Sequence, residues 1–175
     1  MSVLRDQAER ERRQANRRAV PKQNGGQYGE PWRTYGCRAL SLAAIAQVHT
    51  GVILPASDVQ AMLERLSDDP LVVRPGNAAT GTREHHIIRS AFALCGAEHM
   101  RGRQVGVRNP DGQGWRHDAE HDYVIPEWPT SGPIGTHYTL TAPDGTELYD
   151  PWEGDDLITG EPRRWLLYRV WEVAS

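Results

Sequence analysis

Cys37, His137 and Asp150 are the residues whose types and spacing admit covalent chemistry. The thiolate is the attacking form of cysteine, so a reactive thiol needs surroundings that take its proton. Cys37 follows Gly36 and opens the apolar run "CRALSLAAIAQ". That places it at the start of an expected helix, where unpaired N–H groups and the helix dipole favour the thiolate. A nucleophile also needs a base, and an imidazole base needs an acceptor that holds its tautomer. His137 lies in the expected strand "GTHYTL" and Asp150 ends the next one, "ELYDPW". The two are 13 residues apart with "TAPDG" as the turn, so antiparallel pairing would set their side chains next to each other.

Other residues of the same types read differently. Cys95 falls at the end of the apolar face of a third helix, beside Leu94 and Gly96, and reads as core. His117 and His121 have the i, i+4 spacing of a metal-chelating pair, but they lie among turn formers and lack a His-Glu zinc signature, so no metal is expected. "GGQYGE" lacks the Lys-Ser/Thr ending of a phosphate-binding loop. No cofactor is implied.

The elements that must position the three residues follow from periodicity. Leu40, Ala43, Ala44 and Val48 recur at helical spacing up to a stop at Gly51. In "PASDVQAMLERL", Ser57 is the expected N-cap, with Val59, Met62, Leu63 and Leu66 on one face. A third helix is expected from Thr82, with Ile87, Ile88, Ala91, Phe92 and Leu94 as its apolar set. Beyond Gly96 the chain turns to short segments rich in β-branched and aromatic residues: "GRQVGV", "HDYVIPEW", "GTHYTLTA", "GTELYDPW" and "WLLYRVWEV". Trp165 and Trp171 share a parity in the last of these and are expected to pack the core. Helices first and antiparallel strands after make an α+β layout rather than alternating β-α-β units.

The chain has 175 residues, which suits one domain with a real core. Residues 1–22 hold six Arg and one Lys against three acidic residues, a net charge of +4 that leaves residues 23–175 at −7. They carry almost no apolar stripe and read as a solvated helix or frayed arm, in preference to a contact with nucleic acid or an acidic partner. Residues 23–175 form the domain. No apolar run approaches a membrane span, and the charged start is not followed by a signal-peptide segment, so a cytoplasmic protein with reduced thiols is expected.

Taken together, a Gly-Cys pair opening an apolar helix, then "THYTL", then "LYDPW", resembles the papain-like cysteine peptidases. Within them it is most similar to the branch that processes bacteriocin leaders after a double glycine. The resemblance covers residues 31–152. It implies a papain-like fold, with N-terminal helices packed on a C-terminal antiparallel sheet, in a bacterial or phage hydrolase acting on a peptide or protein. It implies Cys37 as nucleophile, His137 as general base and acid, and Asp150 as the orienting carboxylate. Such enzymes carry an oxyanion-stabilising glutamine about six positions before the cysteine, where this chain has Pro31. Gln27, Arg33 and Tyr35 are the candidates for that role, and Trp32, Gly36, Tyr138 and Trp152 for the substrate cleft. The same residues also suit an inactive papain-like binding module, a phage or host-directed effector, or a peptidoglycan amidohydrolase of the same clan.

Overall fold

The computed structural model describes residues 20–23, 25–29, 36–67, 84–131, 135–152 and 158–174. Helix α1 (Cys37–Thr50) is buried at every position from Ala39 to Gln47. The sequence led us to expect one apolar stripe on it. Instead its alanines let neighbours approach on all sides, and α1 runs through the middle of the molecule. Gln47 stays buried because its Oε1 accepts the Leu54 N–H at 2.9 Å beyond the helix end.

Helix α2 (Ala56–Ser67) lays Val59, Met62 and Leu63 against the core. Its first turn differs from expectation. The carbonyl of Pro55 accepts the N–H groups of Asp58 and Val59, so Ser57 lies inside the helix and not at its cap. Helix α3 (Glu84–Leu94) buries Ile87, Ile88, Ala91 and Phe92. The expected start at Thr82 lies outside the described residues. Leu94 is exposed, because it falls on the far side of the helix from that set.

The six strands are β1 (Met100–Arg108), β2 (Tyr123–Pro129), β3 (Thr136–Tyr138), β4 (Leu140–Thr141), β5 (Glu147–Tyr149) and β6 (Arg164–Glu172). They form one antiparallel sheet in the order β1-β6-β2-β4-β5, with β3 also paired to β2. The expected strand through "THYTLT" is broken at Thr139 into β3 and β4. The turn from β4 to β5 is the expected one: Gly145 takes φ 84°, and Ala142 and Thr146 close it with an N–H···O bond of 2.8 Å.

Helices cover one face of the sheet. Tyr123, Ile125, Leu166 and Tyr168 point to them and join the main core. Val105, Val124 and Leu167 point the other way and form a small second cluster with Trp165 and Ala119. The residues at 109–122 fold back over that cluster. Gly106 permits this, since a Cβ there would come within 2.3 Å of the Arg116 carbonyl.

One ionic cluster ties the layers together. The Arg38 guanidinium of α1 pairs with Glu84 at the start of α3, and the Tyr168 hydroxyl of β6 donates to the other carboxylate oxygen. Burial pushes the Glu84 carboxyl up, while Arg38 and Tyr168 oppose it. Removing one member strands the others in a low dielectric. Glu84→Ala should therefore cost about 3–5 kcal/mol in urea unfolding. The double variant Arg38→Met/Glu84→Leu should lose clearly less, and an equal or larger loss in the double variant would contradict this account.

Candidate active site

Cys37 is the first residue of α1, buried, with Gly36 before it. Gly36 has no side chain with which to cap the helix, and its carbonyl accepts the Leu40 N–H at 2.8 Å as the first helical bond. One turn on, the buried Ser41 hydroxyl donates to the Tyr138 carbonyl at 3.0 Å. Cys37 and Ser41 share a helix face, and Tyr138 follows His137, so this bond fixes the start of α1 against β3. The site thus rests on a packed helix and a paired strand.

His137 is buried, and its Nε2 lies 2.7 Å from Asp150 Oδ1. The Nε2–H donates to the Asp150 carboxylate, and Nδ1 is the ring's other nitrogen. Cys37 acts on the same ring, raising its pKa together with Asp150, which puts the thiol beside the imidazole. Asp150 Oδ1 also accepts the Trp152 N–H at 2.8 Å, which holds the carboxylate in an Asx turn before Pro151. The hairpin register explains the meeting of His137 and Asp150: Leu140 stands opposite Tyr149, so the residues flanking that pair come together at the open end.

Burial by itself would favour the neutral imidazole. The hydrogen bonds to Asp150 and Cys37, with their charges, outweigh it and raise the His137 pKa to about 9. At neutral pH the ring is therefore an imidazolium, with its Nε2 on Asp150.

Several residues beside the triad were not legible in advance. Trp128 of β2 stands directly opposite His137, and its indole N–H donates to Thr139 Oγ1 at 3.0 Å. Residues 20–23 form a strap across the end of β5. Val20 is buried, and the Pro21 carbonyl accepts the Tyr149 hydroxyl at 2.7 Å. Lys22 Nζ donates to the Asp150 carbonyl at 2.5 Å and lies 4.9 Å from the Tyr149 ring centre. The Gln23 N–H donates to the Pro151 carbonyl at 2.5 Å, and Gln23 is buried. The inner end of the basic arm is thus packed on the domain.

Of the described glutamines before the cysteine, Gln27 is exposed and Gln23 is bonded through its main chain to Pro151, next to Asp150. Trp32, Arg33 and Tyr35, with Pro31, lie outside the described residues. Tyr138 is buried under the Arg38 guanidinium, 5.3 Å from its ring centre, and Trp152 is half-buried. Cys95 sits in the turn after α3, half-buried, its Sγ 4.0 Å from the Val52 carbonyl, and burial pushes its thiol pKa up. His117 is exposed, and His121 Nδ1 lies 2.7 Å from the Ala119 carbonyl. No helix among the described residues is long and apolar enough to cross a membrane. No protein family, curated protein or solved structure matches the chain.

A raised histidine pKa stabilises the fold below the unfolded value, near 6.5, and that contribution is lost as pH rises through about 9. Wild type should exceed His137→Gln in urea stability at pH 6, by up to about 3 kcal/mol, and the gap should close by pH 10. A gap that stays constant across that range would exclude the imidazolium.

Proposed function

We propose that this chain is a thiol hydrolase of papain-like architecture that cleaves an amide bond in a peptide or protein substrate. One observation carries the reading: a cysteine opening a helix behind a glycine, beside a buried imidazole whose pKa it raises and whose Nε2 donates to a carboxylate. Each part has the role the chemistry needs, and a packed thiol has no use for the other two.

In this reading the Cys37 thiolate attacks the scissile carbonyl carbon and the carbonyl oxygen takes the negative charge. His137, held as imidazolium, gives its proton to the departing amine. Water then attacks the thioester, with His137 taking the water proton, and Cys37 leaves as the thiolate. Asp150 keeps the ring in one tautomer and stabilises its positive form. The Cys37 backbone N–H is one donor to the oxyanion. We infer that the Gln23 side-chain amide is the second, because Gln23 is the buried glutamine among the described residues before the cysteine and its main chain is bonded to Pro151, next to Asp150.

Alkylation tests the nucleophile without a known substrate. With iodoacetamide near pH 6, Cys37 should react far faster than Cys95, and His137→Ala should slow it by about a hundredfold. Equal sluggishness at both thiols would sink the proposal. Gln23→Ala should leave that alkylation rate intact, yet lower turnover of peptides with small residues before the cut by about 10²–10³. A loss confined to alkylation would remove Gln23 from the oxyanion role.

A further inference from the structure

Trp171 departs from expectation in a way that matters. Alternate residues of β6 take opposite faces, and Leu166 and Tyr168 occupy the helix side. Trp171 therefore lies on the outer face, where it is 37% exposed. There it joins three arginines. Arg103 of β1 and Arg169 of β6 stand directly opposite each other in the ladder, both exposed. Arg116 reaches the same place from the folded-back segment. It is the only non-glycine residue among those described with positive φ, at 47°, a conformation that costs energy in an L-residue.

Arg103, Arg116, Arg169 and Trp171 line a cavity of about 480 Å³ together with Val105 and Ala119, and the Arg116 guanidinium lies over the exposed Trp115 ring, 5.7 Å from its centre. Like charges placed opposite each other on one sheet face weaken a sheet. Little here offsets them. Glu120 pairs with Arg169 at 2.9 Å but is 80% exposed, so three cations against one carboxylate leave the cavity with a net charge of +2. The Arg103 guanidinium sits over the Trp171 ring, 5.5 Å from its centre, which holds the fork beside the indole.

We propose that this cavity binds a nucleotide carrying a terminal phosphate monoester, either free or at the 5′ end of an unpaired strand. A monoester near pH 7 carries close to two negative charges, which match the +2, whereas a single carboxylate leaves half of it uncompensated. Arginine forks suit the phosphate oxygens. The exposed indole offers a stacking surface for the base, a feature a bare phosphate or an acidic peptide does not use. The volume is within the range of small-ligand pockets. The site belongs to the β1–β6 end of the sheet and uses none of the residues around Cys37.

The test is a titration of the full chain with adenosine 5′-monophosphate, read by tryptophan fluorescence, alongside adenosine, inorganic phosphate and a phosphoserine peptide. Saturable quenching is expected, with adenosine at least about tenfold weaker. Arg103→Ala and Arg169→Ala should each weaken binding by about tenfold or more, with thermal midpoints held or raised because a like-charge pair is relieved. Cys37→Ala should bind as wild type does, which keeps this result separate from the thiol chemistry. A 5′-phosphorylated oligothymidylate that binds better than its unphosphorylated form would identify a strand end, and preference for the free nucleotide would identify that source. Equal quenching by nucleotide and nucleoside, no effect of either arginine, or a phosphoserine peptide that binds as tightly as the nucleotide would overturn the proposal.

Discussion

The molecule is arranged around the burial of α1. A helix wrapped on all sides from Ala39 to Gln47 can neither slide nor rotate without opening contacts to two helices and the sheet. Its small residues permit that wrapping, and Leu40, Leu42 and Ile45 fill the space around them. The position of its first residue follows from this constraint. Cys37 is located by the packing of the ten residues after it, and the Ser41 and Arg38 contacts set its register against β3 and α3. The thiol needs no rigid loop of its own.

The two faces of the sheet divide the work. The helix side carries the main core, and residues next to the triad are held by hydrogen bonds to that side or to the strap. The outer side carries a smaller apolar cluster and a concentration of positive charge within residues 23–175, which are −7 overall. Charge of one sign gathered on an acidic domain raises the potential locally and steers anions to that place.

Local patterns were legible in the sequence, and distant ones were not. Helical periodicity located α1, α2 and α3 to within a few residues, and Asp-Gly marked the hairpin that brings His137 to Asp150, because both signals lie within a short window of chain. Ser57 misled because its type fits a cap, while Pro55 just before it already supplied the first accepting carbonyl. Parity showed that Trp165 and Trp171 share a face, but it could not say which face the helices cover. That depends on the whole sheet order. The strap at 20–23 carried no signal at all. Its partners are 128 residues away, and nothing in "VPKQ" announces a hydrogen bond to Asp150.

Strand β6, with residues 164–172, lies between β1 and β2 and pairs with both. An inner strand of the sheet is thus the stretch that a ribosome makes after both of its neighbours. Until residue 172 has been added, β1 and β2 have no partner between them, and the outer-face cluster lacks Leu167. Closing such long loops comes late and slowly, since the entropy is lost before the contacts form. Completion of the sheet then follows synthesis of its last strand instead of keeping pace with the chain. A nascent chain can hold a formed α1 and still have no assembled thiol, imidazole and carboxylate. The order of strands in space therefore acts as a timer, which delays the meeting of Cys37, His137 and Asp150 until the chain has left its own translation behind.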